Sequence, residues 1–437
     1  MAGLALFDQS FARLGIPGLP VYASEVVLAT GVLFLLTRRH PLRGVRTGRW
    51  FAPTLLVLFV GWGLVKLLAS LHYPVMAVIR DSALVYYALF AVVVIGLSGY
   101  DRRFHPRAML ELYGRFVPWL LLIAPIRILA AVVLFEQGPL IPGTDVYLLS
   151  GHRLGNLAVN VALATVFLAS SGRNNRATVA GIVAGVIMII VMGTQSRGGV
   201  VAAVVAITLA LVVWNRWIRL RLGWVLAIGA ALFVLAWGLN LHIPAGTRDI
   251  SVTQLGANFS AIVGGGSSGA EAQASATIDF REDLWSAVLA DTIRTGQLEN
   301  GWGFGPNLGV DYLPSHVDSA LRNPHNSHMT VIARLGLVGL ALWIGLWVSW
   351  FYGVLSRARR AVRTRLLARD HAGRLALLAA VGCSGMLVNA YFDPTLETPM
   401  VATWLWALFG FGLIAVSGRL VGASPGRDEP AIAPTGA

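Results

Sequence analysis

The stretch "RNPHNSHMTVIARLGLVGLALW", Arg322–Trp343, begins with polar residues and two histidines and runs unbroken into apolar sequence. The apolar part continues to about residue 354, long enough for a helix to cross a hydrocarbon core ~30 Å thick. Similar runs recur along the 437 residues. Hydrophobic residues make up 56% of the chain and charged residues 13%, more apolar surface than a soluble domain could hide. The chain reads as an all-α integral membrane protein.

Eleven to twelve transmembrane helices are predicted. Eleven fall at about 20–37, 51–69, 80–99, 116–135, 154–171, 178–195, 198–214, 223–240, 328–354, 374–391 and 398–416. Residues 1–19 carry Asp8 and Arg13 without a long apolar core, so no cleavable signal is expected there. Arginines gather in alternate connections: Arg38 to Arg49, Arg102 to Arg115, Arg173 with Arg176, Arg216 to Arg221, and the dense run Arg357 to Arg374. The positive-inside rule makes these loops cytoplasmic. The net charge of +13 is then mainly a topology signal, with some attraction to anionic membrane lipids. No nucleic-acid motif accompanies it, and no nucleic-acid partner is expected. The one cysteine, Cys383, lies in an apolar run and excludes an intrachain disulfide.

The other loops are then extracytoplasmic, and the long one, residues 242–327, collects acidic residues. Its "GGGSSGAEAQAS" reads as a flexible linker or lid. Its "FREDLWSAVLADTIRTGQ" places Leu284, Trp285, Val288, Leu289 and Ile293 at helical spacing, for a helix lying on the outer face of the bundle. The expected organisation is an N-terminal transmembrane bundle (1–241), this loop (242–327), C-terminal transmembrane helices (328–418) and a disordered cytoplasmic tail (419–437).

Asn323 and Pro324 suit an N-cap and first helical position, which puts His325 in the first turn of the ninth span. The positive end of a helix keeps an imidazole neutral and able to accept a proton, and its free N–H groups suit an anion. At 100° per residue His325, Ile332, Gly336, Gly339 and Trp343 share one stripe, whose glycines would let a neighbouring helix approach. His328, about 60° away on the same wheel, shares the site or faces water. On these residues alone, interfacial histidines on a packed helix are the plainer reading. No other histidine or cysteine stands at ligand spacing from His325 and His328, so neither a metal nor a cofactor is expected.

His325–Asn326 followed by Gly336 and Gly339 resembles the signature of the O-antigen ligase and O-antigen polymerase superfamily, bacterial membrane glycosyltransferases using undecaprenyl-diphosphate-linked glycans. "SRGG", Ser196–Gly199, and "REDLWSAV…GWGFGP" from Arg281 resemble two further motifs of that family, in the same order. The resemblance implies a GT-C-like architecture with a long, partly helical extracytoplasmic loop. It implies His325 as the catalytic residue and Arg197 and Arg281 as contacts to the donor diphosphate. Arginine suits that role because its charged fork grips phosphate oxygens bidentately. Arg322 is a further candidate contact. Asn326, His328, Gly336, Gly339, Ser196, Trp285 and Asp393 are supporting candidates. Arg197 could instead anchor its hairpin at headgroup level, and Arg281 could pair with Asp283. Arg80 and Arg127 read as snorkelling or paired charges. Trp302, Phe304 and Tyr312 could stack on sugars or simply pack the loop.

The expected reaction is transfer of a glycan en bloc from undecaprenyl diphosphate to lipid A–core at the periplasmic face of the inner membrane, without a metal and with inversion. The same motifs fit a polymerase whose acceptor is another lipid-linked glycan. A transporter of the lipid-linked glycan is the more distant alternative. It should carry charges deep in several spans and internal pseudo-symmetry, whereas the polar cluster here sits at one face.

Overall fold

The structure, a computed structural model, describes residues 2–15, 21–38, 51–133, 139–141, 147, 153–173, 175–214, 223, 242–243, 250–251, 254–256, 269–308, 323–364 and 366–417. It is nearly all helical. The helices are α1 (Ala2–Ala12), α2 (Ala23–Leu36), α3 (Phe51–Ala69), the short α4 (Val75–Asp81) and α5 (Ala83–Tyr86), α6 (Leu89–Ser98), α7 (Pro106–Val133), α8 (Leu154–Ser170), α9 (Arg176–Gln195), α10 (Arg197–Val213), α11 (Gly269–Arg294), α12 (Ser327–Arg363), α13 (His371–Phe392) and α14 (Pro399–Ser417). Among the described residues the strands are two residues each, His242–Ile243 antiparallel to Ile250–Ser251.

Helices α3, α7, α9, α12, α13 and α14 are long and apolar enough to cross a membrane, and α4 to α6 together form a seventh candidate bent by 48°. The apolar α2, α8 and α10 are shorter. The described residues thus show six or seven spans by length and composition, where eleven were expected. The predicted run 223–240, apart from its first residue, and the tail beyond Ser417 lie outside the described residues. This is a multi-pass membrane protein.

Its layering follows from which apolar helices meet protein and which meet lipid. The most hydrophobic stretch of α14 is 78% buried and that of α3 only 22%. On α3, Val57, Leu58, Leu64 and Val65 point outward, tolerable where the surroundings are as apolar as the side chains. Inside, small residues bring helices together: a Cβ on Gly385 of α13 would stand 2.9 Å from Val159 of α8.

One end of the bundle is basic. The α12–α13 turn lies there, with His371 facing Arg107 and Arg374, and Gly172 packs against Ala368. The other end carries the start of α12 and the loop helix α11, where the structure corrects three expectations. Helix α11 begins at Gly269 and takes in the "GAEAQAS" read as linker, consistent with the helix propensity of its Ala, Glu and Gln. Ile293 is 54% exposed, so the buried stripe of α11 ends with Val288 and Thr292.

The third correction concerns α12, which is broken at Gly336 (φ 68°, ψ −169°). The loop 298–303 fills the break: Leu337 N–H donates to Leu298 O at 2.9 Å, Trp302 N–H to Ala333 O at 2.8 Å, and Gly303 N–H to Arg334 O at 2.9 Å. A stripe running straight from His325 to Trp343 therefore does not exist. Gly336 serves a backbone turn, not the approach of another helix. A Cβ there would collide with Glu299 O and stand 2.5 Å from Gly301 N. Gly336→Ala is expected to destabilise by on the order of 1–3 kcal/mol from the left-handed backbone alone, read as a lower thermal unfolding midpoint in detergent. An unchanged midpoint would refute the break.

Candidate active site

Helix α12 starts one turn later than Asn323 and Pro324 suggested. Asn326 is the N-cap, its side chain accepting from the N–H groups of His328 (2.9 Å) and Met329 (3.2 Å). Residue 325 precedes the helix, with a left-handed φ of 51° and its N–H donating to Asn323 Oδ1 at 3.2 Å. Such a φ is uncommon for a non-glycine residue, and two asparagines flanking the histidine hold it. The Nε1–H of Trp285 on α11 donates to Pro324 O at 2.6 Å, and its ring meets Tyr391 edge to face. The loop helix is thereby pinned beside the histidine.

Half-buried His325 faces three charges. Burial lowers its pKa, Arg281 lowers it further, Asp393 opposes them, and Arg153 adds a smaller lowering. The imidazole is consequently neutral at neutral pH. Arg281 in turn faces Asp393, not Asp283, and burial lowers its own pKa. Asp393 caps the C-terminus of α13 and accepts from Arg153 Nη1 at 2.6 Å. Ser327 ties the same turn to α12, its Oγ donating to Asp393 O at 3.5 Å and accepting from Leu396 N–H at 3.2 Å.

The "SRGG" motif builds the adjoining wall. Ser196 is the N-cap of α10, with Oγ accepting from Gly199 N–H at 3.2 Å. A Cβ on Gly199 would stand 2.6 Å from Gly155 Cα, and one on Gly198 2.6 Å from Phe392. Both glycines are needed for α10, α8 and α13 to meet. Arg197 therefore starts a helix that abuts the residue preceding Asp393. The N-termini of α8, α10 and α12 gather at this end, and their N–H groups favour an anion.

Two expected site residues are placed differently. Trp343 Nε1–H donates to His328 Nδ1 at 3.3 Å, and His328 Nε2 lies 2.9 Å from Leu387 O. That pairing makes His328 a neutral Nε2–H tautomer with both ring nitrogens committed. Gly339 lies just past the helix break, where a Cβ would meet Leu335. Arg322 and Tyr312 lie outside the described residues.

The "GWGFGP" loop is a succession of left-handed glycines, φ 75°, 75° and 110° at Gly301, Gly303 and Gly305. Buried Arg334 donates to Gly303 O and Pro306 O, both at 3.1 Å, and pairs with Asp81 at 2.9 Å. Asp81 also accepts from Gly305 N–H at 2.9 Å. Lys66 Nζ reaches Gly301 O at 3.0 Å. Phe304 is fully buried, and Trp302 packs with Leu284 and Val288, so these two aromatics pack the loop. Nearby Glu397 is enclosed, and burial pushes its carboxyl up to about 7.

Sequence reasoning missed Arg153 and its support. Arg153 N–H donates to Asp8 Oδ2 at 2.7 Å, and Asn156 Nδ2 to Asp8 Oδ1 at 3.1 Å. Asn389 Nδ2 then donates to Asn156 Oδ1 at 2.9 Å. Arg127 pairs with this same Asp8 at 3.7 Å. Arg153 carried one usable signal: it is an arginine at the end of the bundle away from the basic loops, where topology alone asks for none.

No curated protein matches the chain. A family model described as O-Antigen ligase matches residues 182–344, a segment holding "SRGG", the loop helix, "GWGFGP" and the His325–Gly339 motif. Residues 182–344 are thus similar to the O-antigen ligase family, which supports a place in the O-antigen ligase/polymerase superfamily.

Proposed function

We propose that this protein transfers a glycan en bloc from undecaprenyl diphosphate to a hydroxyl of lipid A–core, at the periplasmic face of the bacterial inner membrane. The observation that carries the reading is a histidine fixed in a left-handed turn, facing Arg281, Arg153 and Asp393, within the segment that matches the O-antigen ligase family. Arg197, Arg281 and Arg153 would hold the donor diphosphate, with Arg322 as a further contact. His325 would accept the proton of the acceptor hydroxyl as its oxygen bonds to the anomeric carbon. The bond from that carbon to the diphosphate breaks, and undecaprenyl diphosphate leaves with its charge held by the arginines. Direct attack inverts the anomeric centre. The scheme uses no metal, and the eleven-span, GT-C-like architecture with its large loop at the periplasmic face belongs to the same proposal.

Reconstitution with a synthetic polyprenyl-diphosphate oligosaccharide tests it. Wild type should release polyprenyl diphosphate and form product with lipid A–core, unaffected by EDTA. Product only with a second lipid-linked glycan would make the protein a polymerase. Movement of intact donor across vesicles without release would make it a transporter.

The pH profile offers a separate check. The neutral imidazole is the working form, so transfer falls as pH drops through its lowered pKa. The acid limb should therefore lie below the ordinary imidazole value of about 6.5. Arg281→Gln removes the larger like charge and should move the limb upward, while Asp393→Asn should move it down. A limb indifferent to both changes would remove His325 from the base role.

A further inference from the structure

At the basic end, opposite His325, a cavity of about 1000 Å³ opens between α2, α6, α7 and α14. Its walls are apolar and aromatic, with Phe34, Tyr113, Phe116 and Trp404 among them, and its mouth carries Arg38 and Arg103 with one acid, Asp101. We infer that this cavity is a binding site for one anionic glycerophospholipid of the adjacent leaflet, its acyl chains inside and its phosphate between Arg38 and Arg103.

The shape suits a chain. Trp404 lies 13 residues before Ser417, the last described residue of α14 at the basic end, so the slot reaches about 20 Å inward at 1.5 Å per residue. That depth passes the middle of a ~30 Å hydrocarbon core. Leu112, on the wall, is 69% exposed, so the cavity adjoins the lipid-facing side of α7. The charge suits a phosphate. Arg103 pairs with Asp101 yet keeps its side chain 89% exposed. Arg38 lies 4.3 Å over the Phe34 ring and 5.4 Å from the Tyr100 ring, and stacking of this kind leaves the guanidinium edge free for phosphate oxygens. Two arginines against one aspartate leave a net positive mouth, the pattern of basic pockets that hold anionic head groups between transmembrane helices. The donor diphosphate is not the occupant, because the proposed chemistry lies at the other end.

Native mass spectrometry and tryptophan quenching on the whole protein test the assignment. Wild type should retain dioleoyl phosphatidylglycerol more tightly than dioleoyl phosphatidylcholine. Arg38→Ala and Arg103→Ala should each weaken the phosphatidylglycerol affinity by roughly fivefold, the weight of one basic residue near anionic lipid. Arg359→Ala, at the same end but outside the cavity lining, should leave it unchanged. Chain-brominated phosphatidylglycerol should quench wild type more than Trp404→Phe, isolating one of 14 tryptophans. Equal retention of the two lipids, equal loss in Arg359→Ala, or no quenching at Trp404 would overturn the proposal. Displacement of phosphatidylglycerol by tenfold less undecaprenyl phosphate would also overturn it, reassigning the cavity to the donor's lipid.

Discussion

His325→Ala is expected to lower glycan transfer by about 10²–10⁴-fold, the usual contribution of a positioned general base. The loss should appear in kcat more than in KM, because the proton leaves the acceptor only as the new bond forms. Burial and two arginines hold this imidazole neutral, so no other protonation state has to be reached first. Alanine also changes a left-handed position, which adds backbone strain. His325→Asn controls for that, since asparagine tolerates this conformation and leaves the flanking contacts of Asn323 and Asn326 in place. Both variants should lose transfer to the same extent, His325→Asn at the wild-type thermal midpoint and His325→Ala somewhat below it. Full activity in His325→Asn would mean that the turn matters and the imidazole does not.

Arg334→Met should be the most destabilising single change, by about 3–5 kcal/mol, the cost of stripping one partner from a buried ion pair. Arg334 is 2% exposed and Asp81 8%. Removing the guanidinium leaves a buried carboxylate and withdraws a donor from the carbonyls of Gly303 and Pro306. The loop filling the Gly336 break would loosen with it, so transfer should fall although Arg334 touches no reacting group. Adding Asp81→Asn should recover part of the stability, because the stranded charge is gone. A thermal midpoint unmoved by Arg334→Met would show that the loop is held elsewhere.

The membrane-protein class and most helix positions were legible because a bilayer core demands long apolar runs. The predicted spans within the described residues fall on helices, except that 80–99 is divided among α4, α5 and α6 and bent by 48°. The alternation of arginines likewise anticipated a basic end, and the motifs marked α10, α11 and the start of α12, which meet around Phe392 and Asp393. Their limits were less legible. Asn323–Pro324 is a good helix start locally, yet Asn326 caps α12 because residues 323–325 are drawn into contact with α11 through Trp285. The break at Gly336 lies inside an apolar run with no proline, where nothing in hydropathy marks a turn.

The sequence by itself thus determined where most of the apolar helices lie and which motifs resemble those of a known family, since solvent preference and spacing act along the chain. Tertiary structure alone decided that both ring nitrogens of His328 are bonded, that Arg334 clamps the glycine loop, and that Arg153 faces Asp393 and His325. Those assignments rest on contacts between residues up to 253 positions apart, as Arg334 is from Asp81 and Arg153, at 240, is from Asp393. Buried charges and polar groups must find partners wherever the fold brings them, and no local pattern records which partner that will be.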